Sequence, residues 1–186
     1  LVGVDREVKH EGDATIVTYH TPVGSVSNKT QYTEDMKQAG ISQTWISEHV
    51  IKRPEDYAVV GYIFKNIKVH PAYDGFSQYQ GEVGDRGLAV AWASTSACPM
   101  HHILKHFFDS TMFYLELYDH PKELHRLCED MEPYFEQICV VHAQSPAEVI
   151  HFGANHDDMI TYPPFFKFLS TPTLQPLSDI LQGGAK

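Results

Sequence analysis

The sequence predicts an α/β fold in which a small antiparallel sheet precedes a parallel sheet, and three observations support this. Residues Glu7–Ser27 alternate in polarity between turn residues, as the strands of hairpins do. The run Leu88–Ala93 is apolar throughout, which is typical of a strand in a parallel sheet. A long amphipathic helix and a second apolar run, Ala147–Phe152, follow it, and this order of strand, helix and strand is that of a parallel crossover.

The amino-terminal part of the chain is predicted to be an antiparallel flap, because turn residues separate its strands. One turn is Glu11–Asp13 and the next is Thr21–Gly24, which contains a proline and a glycine. The segment Gln43–Val50 continues the alternation and is predicted to be a further strand. We therefore divide the chain into a β-rich flap, residues 1–50, and a larger α/β domain, residues 51–186.

Helices are predicted where apolar residues recur at spacings of three and four. This spacing occurs in a segment opened by Pro54 and, most clearly, in Pro121–Ala143. Further helices are predicted at the weakly patterned Ala72–Gln80 and at Met100–Phe108 and Ser110–Tyr118, with a break near Asp109. Within Pro121–Ala143, Pro133 removes one backbone hydrogen bond, so it should cost about 3 kcal/mol or bend the helix. Farther along the chain, Pro172 and Pro176 are predicted to interrupt any helix.

Composition and charge narrow the function classes. The chain has 186 residues, 42% of them hydrophobic, which suits one globular domain with a core. Its 14 Lys and Arg against 24 Asp and Glu give a formal net charge of −10. Because this charge repels phosphate backbones and anionic lipid surfaces, we expect neither nucleic-acid nor membrane partners.

The cysteines and the ends of the chain bear on its compartment. There are three cysteines, Cys98, Cys128 and Cys139, with neither a secretory leader nor an apolar run of transmembrane length. This usage is typical of a reduced cytoplasmic protein. Because the chain begins at Leu1 without a methionine, a further amino-terminal segment is expected.

The residues after Phe152 are predicted to form a ligand-binding loop. Asn155, His156, Asp157 and Asp158 place an imidazole and two carboxylates directly after a predicted strand. A helix follows, with its cap at Thr161 or Tyr162. In α/β folds, ligands bind outside the carboxyl ends of the strands. The alternative is that these acids only cap the helix or stay solvated.

A second candidate cluster follows the first apolar run. Cys98, His101 and His102 offer a thiol and two imidazoles that suit zinc, or a thiol nucleophile with a neighbouring base. A buried structural cluster is favoured, because neither a fourth ligand nor an orienting third group has a suitable spacing. Trp92 and the aromatic segment Tyr73–Tyr79 suit either the wall of a pocket for a flat ligand or the core.

Several stretches together resemble the uroporphyrinogen decarboxylase superfamily, which includes corrinoid-dependent methyltransferases. These are GLAVAWASTSACPM from Gly87 to Met100, DHPKELHRL from Asp119 to Leu127, and SPAEVIHFGANHDDMITYPPFF from Ser145 to Phe166. The segments TPVGS (Thr21–Ser25) and IKRPEDY (Ile51–Tyr57) are similar to the preceding region of the methyltransferase-like members. The resemblance implies a (β/α)₈ barrel with its site at the carboxyl ends of the strands.

The resemblance also assigns site residues. The strand-end acidic motif of the family matches residues 155–158, and the small-residue loop of the family matches Ser94–Pro99. It implies that catalysis falls to Asp157, Asp158 and His156, which would position substrate or move a proton. The residues predicted to contact substrate are Asn155, Trp92, Ser94, Ser96, Cys98, His101 and Tyr162.

The first function that the resemblance implies is methyl transfer between a small methylated compound and a corrinoid or thiol. This is favoured because the decarboxylase arginine motif and early aspartate are not found before Leu88. The first alternative is porphyrinogen decarboxylation, in which a carboxylate stabilises the protonated pyrrole. The second is a non-catalytic barrel that binds a ligand or partner.

The predicted cofactors and partners follow from the same resemblance. A corrinoid would be carried by a partner protein, and a homo-oligomer is a further expectation. Zinc-dependent members bind metal through a His-x-Cys pair and a later cysteine, and the region that would hold them lies past Lys186. We also predict that this chain alone holds no zinc tightly, because the clustered ligands Cys98, His101 and His102 lack a fourth partner and a closed geometry. Only two barrel strands and one crossover can be counted, so the chain is expected to belong to a longer polypeptide.

Overall fold

A computed structural model describes residues 1–94, 96–153, 161 and 163–183, without the side chains of residues 163 and 168. The chain divides into two compact units. Unit 1 comprises Leu1–Ile67 and Ile103–Asp130, and unit 2 comprises Lys68–His102 and Met131–Lys186. Each unit is described by itself below.

Unit 1 contains a four-stranded antiparallel sheet in the order β1-β2-β3-β4. Its strands are β1 (Asp5–Glu11), β2 (Ala14–Thr21), β3 (Gly24–Gln31) and β4 (Trp45–Glu48). The turns lie where the sequence predicts them, since Glu11 pairs with Ala14 and Thr21 pairs with Gly24 across two-residue loops. The further strand predicted within Gln43–Val50 is confirmed by β4, which pairs with β3 through a register shift.

The helices of unit 1 begin at residues suited to helix starts. They are α1 (Glu34–Gln38), α2 (Pro54–Lys65) and α5 (Ser110–Asp119), and the first part of α6 (Pro121–Ala143) also belongs to this unit. Before α2, the buried carboxylate of Asp56 accepts hydrogen bonds from the backbone N–H groups of Lys52 and Arg53, at 2.9 and 3.2 Å. At α5, the Asp109 side chain accepts from Met112 N–H at 3.0 Å, which confirms the predicted break near Asp109.

Apolar faces of these helices form the core of unit 1, and α2 packs against β2 and β3. Fully or almost fully buried side chains include Val26, Val59, Val60, Leu104, Phe113, Leu124 and Leu127. On α6, Leu124 and Leu127 belong to the apolar stripe that the sequence predicts, whereas α2 buries Val59 and Val60.

Unit 2 is organised around a parallel pair of strands, β5 (Val90–Ser94) and β6 (Val149–Phe152). Each begins two residues later than predicted. Between them in the chain lies α4 (Pro99–His102), which continues as one π-helical turn, Ile103–Phe107, and then α5 and α6. Unit 2 also contains α3 (Asp74–Val83), followed by a short 3₁₀ turn, Gly84–Arg86. The long helix has the predicted bounds, with Pro133 inside it.

The carboxyl-terminal segment corrects one prediction. After α7 (Pro163–Phe165) and a π-helical turn, Phe166–Ser170, the chain forms α8 (Thr171–Gly183) with Pro176 inside it. Prolines here do not end the helix as predicted. The helical stretch runs without a break from the π-helical turn into α8, so Pro172 and Pro176 are both accommodated inside it although each lacks the amide that a backbone hydrogen bond needs.

The predicted (β/α)₈ barrel is wrong. The described residues form one antiparallel sheet of four strands and one parallel pair, with no eightfold barrel among them. The barrel was implied by the resemblance to the uroporphyrinogen decarboxylase superfamily, whereas the residues themselves indicated only one parallel crossover. The pair also differs from a barrel strand in exposure: Ala91 is buried on one face, whereas Val90, Trp92 and Val149 are exposed on the other.

Candidate functional site

The carboxyl end of β5 carries the candidate site, and a hydroxyl-rich turn fixes its geometry. Ser94 Oγ accepts a hydrogen bond from Ser96 N–H at 3.1 Å and donates one to the Ser96 carbonyl at 2.8 Å. This local turn satisfies backbone groups that the strand no longer pairs. It also brings Ser96 under the start of α4, where Ser96 is completely buried.

Two histidines of α4 reach back to the same turn. His101 Nδ1 accepts from Ala97 N–H at 3.4 Å, and His102 Nδ1 lies 3.1 Å from Ser96 Oγ. The Ser96–His102 pair has the spacing of a hydroxyl nucleophile with its base. However, Ser96 has 0% of its surface exposed, so no substrate reaches its hydroxyl in this arrangement. The pair therefore holds the loop in place.

Cys98 lies at the centre of this cluster with 0% of its surface exposed. Burial raises the pKa of the Cys98 thiol, and a hydrogen bond with the Thr173 side chain opposes part of that effect. Since the thiolate is the reactive form, a thiol with a raised pKa is a poor nucleophile. The geometry thus favours the buried structural cluster over the nucleophile that the sequence left open.

Trp92 is not part of the buried cluster. Its side chain is 63% exposed and stacks on His151 of β6, with the ring centroids 4.1 Å apart and the planes 23° apart. The two residues are directly paired across the strands. Trp92 therefore lies on the exposed face of the strand pair, and its contact with a planar ligand stays a prediction.

The acidic part of the predicted site cannot be placed. Asn155, His156, Asp157, Asp158 and Tyr162 lie outside the described residues. The described chain leads up to them through β6, which runs parallel to β5 as predicted. Because the strands are parallel, their carboxyl ends lie at the same edge of the pair.

Sequence reasoning missed two residues of this region: His151, which stacks on Trp92, and Thr173 of α8, which hydrogen-bonds with Cys98. His102 was considered as a metal ligand or as a base for Cys98, and not as the partner of Ser96. Strand alternation could have identified His151, because residues two apart share a face and His151 lies on the same exposed face as Val149. Thr173 had no such signal, since nothing in the local sequence shows that α8 packs near Cys98.

The cavity beside the cluster is small. It measures about 80 Å³ and is lined by residues that include Pro99, Phe135 and Thr173. Pockets for small molecules usually measure about 300–1,000 Å³. This cavity is thus too small to hold a substrate, and the cluster serves to shape the loop rather than to enclose a ligand.

The donor atoms of the described residues do not fit a metal. Within that part of the chain, no group of three or more His, Cys, Asp and Glu side chains is arranged to hold an ion. On α6, Cys139 is buried, which raises the pKa of its thiol to about 12, and His142 Nδ1 lies 2.9 Å from the Ile138 carbonyl. These contacts suit packing rather than ligation.

Comparisons with protein-family models, with curated proteins and with solved structures found no match to this chain. Among the described residues, no helix combines the length and apolar character needed to cross a membrane.

Proposed function

We propose that the chain belongs to an enzyme that transfers a methyl group between a small methylated compound and a corrinoid or thiol. The proposal starts from the resemblance of the region from Leu88 to Phe166 to the uroporphyrinogen decarboxylase superfamily. The observation that carries it is the set of hydrogen bonds at the carboxyl end of β5, where Ser96 bonds with Ser94 and with His102. A closed barrel is not needed for this argument, because ligands also bind at the carboxyl ends of open parallel sheets.

The residues after β5 and those after β6 would have different roles. Residues after β5 are buried and hydrogen-bonded, so they keep one wall of the site fixed. The chemistry would then fall to Asp157, Asp158 and His156, which follow β6 in the chain. A carboxylate and an imidazole can hold the substrate and supply a proton to the group that leaves when the methyl is removed.

The proposed enzyme also has expected partners and an expected compartment. Its partners are a small-molecule substrate and a protein that carries the corrinoid, with a homo-oligomer as the expected assembly. All three cysteines are buried thiols outside any disulfide, which suits a reducing cytoplasm. Because the described donors do not fit a metal, we assign no step to zinc.

The test measures methylcobalamin formed from free cob(I)alamin and a panel of small methylated amines, alcohols and thiols. Asp157→Asn and Asp158→Asn should each lower the rate about 100-fold, the scale expected for losing a proton-transfer group. The matched control is Asp85→Asn, which changes an exposed aspartate in the 3₁₀ turn and should leave the rate unchanged.

Other outcomes would replace the proposal. Carbon dioxide release from uroporphyrinogen, without methyl transfer, would establish the decarboxylase alternative. Binding of a ligand by calorimetry with neither activity would establish a non-catalytic binding protein. Equal rates in the wild type and both aspartate variants would remove the acidic loop from the mechanism.

A further inference from the structure

Unit 1 contains a second cavity, of about 350 Å³, that the proposed methyl transfer does not use. It is formed by the turn between β2 and β3, by α2 and by the first part of α6. Two segments singled out by the sequence meet here, because Val23 belongs to TPVGS and Tyr57 to IKRPEDY. Its volume lies within the range of small-molecule pockets.

Several polar groups of this pocket already have partners. Lys65 Nζ and Asp130 Oδ1 form an ion pair at 2.6 Å. Tyr57 donates its hydroxyl hydrogen to Glu116 at 2.8 Å, and burial, followed by that bond, raises the Tyr57 pKa well above its ordinary value. Tyr57 is therefore neutral, and the charges of Lys65 and Asp130 balance each other, so these three side chains leave no net charge for a ligand to pair with.

Glu123 and Arg126 differ from those three side chains. Both are exposed, both line the pocket, and they lie one helical turn apart on α6. Among the ion pairs of the described residues, neither takes part in one. The pocket thus presents one carboxylate and one guanidinium that are available to a ligand, beside apolar surface from Val23 and Leu127.

We propose that this pocket binds a small zwitterion with an apolar body, of the kind represented by a hydrophobic α-amino acid. The ligand carboxylate pairs with Arg126 and its ammonium with Glu123, while its body lies against Val23, Leu127 and the tyrosine rings. The four ionic side chains of the pocket, Lys65, Asp130, Glu123 and Arg126, sum to zero charge, so a zwitterion leaves the pocket neutral. A polyanion would meet two carboxylates in addition to the net charge of −10.

Three probes with the same phenyl body separate the ionic contributions. L-Phenylalanine carries both charges, 3-phenylpropionate only the negative one, and phenethylamine only the positive one. We expect phenylalanine to bind at least fivefold more tightly than either of the others, with Kd values from calorimetry or from NMR shifts of the α6 amides.

Variants then assign each charge. Arg126→Gln should raise the Kd of phenylalanine and of phenylpropionate about fivefold or more and leave the Kd of phenethylamine unchanged. Glu123→Gln should raise the Kd of the two probes with an ammonium group, phenylalanine and phenethylamine, and leave that of phenylpropionate unchanged. Lys122→Gln and Glu129→Gln are matched controls, because these residues are exposed on α6 and do not line the pocket. Absence of binding, equal affinity for all three probes, or unchanged affinity in both pocket variants would overturn the proposal.

Discussion

The two sheets of this protein use opposite kinds of connection. In unit 1, β1, β2 and β3 are joined by two-residue turns, so their pairing comes from neighbours in the chain. In unit 2, β5 and β6 pair in parallel although three helices lie between them in sequence. The parallel pair therefore depends on packing of its buried face and its helices, since no local turn holds the strands together.

The exposure of the two sheets differs as well. In the antiparallel sheet, the central strand β2 is mostly half-buried, and β1 at the edge is exposed throughout. In the parallel pair, one face carries the buried Ala91 and the half-buried Ile150, and the other presents Val90, Trp92 and Val149. Because two strands alone are marginally stable, side chains packed in the interior of unit 2 should carry most of its stability.

The largest effect is therefore expected in unit 2, from Phe135→Ala. Phe135 is fully buried on α6 and meets the His102 ring edge-on, with centroids 5.9 Å apart. Its truncation removes buried apolar area and leaves a cavity, which should lower the free energy of unfolding by about 3–5 kcal/mol. Urea denaturation measures this change. Val140→Ala, at a 41% exposed position of the same helix, should cost less than about 1 kcal/mol.

The next effect concerns the link between β4 and α2 in unit 1. Asp56→Ala removes the buried acceptor of the Lys52 and Arg53 amides and the ionic partner of Arg53 Nε at 3.1 Å. Because two backbone donors and one guanidinium lose their buried acceptor, we expect a loss of about 3 kcal/mol in thermal or urea unfolding. Glu55→Ala changes an exposed acid in the same turn. A similar loss in both variants would refute the special role of Asp56.

The turns of the antiparallel sheet offer a matched pair of glycines. Gly24 has φ +140°, and a Cβ there would lie 2.9 Å from Val59 Cγ2, whereas Gly12 has φ +59° and open space around it. Gly24→Ala should cost about 2 kcal/mol, from strain plus overlap, and Gly12→Ala about 1 kcal/mol, from strain alone. Equal melting temperatures for the two variants would show that Val59 moves without cost.

A pH effect of about 1 kcal/mol is expected in unit 1. Burial, with smaller contributions from Lys105 and His49, lowers the pKa of His106 from 6.5 to about 4. The unfolded chain therefore takes up a proton at this residue before the folded chain does, so stability is complete above pH 6.5 and falls between about pH 6.5 and 4. His106→Asn should reduce this decline in urea midpoints measured at pH 7.5 and 5. An unchanged decline would assign it to other groups.

Sequence reasoning worked where structure depends on nearby residues. The two turns, the break at Asp109 and the bounds of α6 follow from local composition, and the structure confirms them. The barrel prediction failed because pairing of parallel strands depends on distant segments. An apolar run such as Leu88–Ala93 indicates that a strand forms. It does not indicate how many strands pair with it or whether both of its faces are covered.

The candidate site shows the same limit. Ser94, Ser96, Cys98 and His101 lie together because they occupy one short segment at a strand end. The sequence spacing of these residues could not predict their burial or the raised pKa of Cys98, because both depend on contacts with α8 and α6. Trp92 was predicted at the strand end, but only the register with β6 shows that it stacks on His151.

One contact in unit 1 bears on how this sequence can vary. A Cβ at position 61 would overlap the carboxylate of Asp130, the residue that pairs with Lys65. Glycine within a helix costs about 1 kcal/mol relative to alanine, so an alanine at 61 gains helix propensity only if position 130 becomes smaller. Positions 61 and 130 should therefore change together among related sequences. Gly61→Ala should be destabilising alone and tolerated with Asp130→Gly, so that an alanine at 61 is acceptable only after the change at position 130.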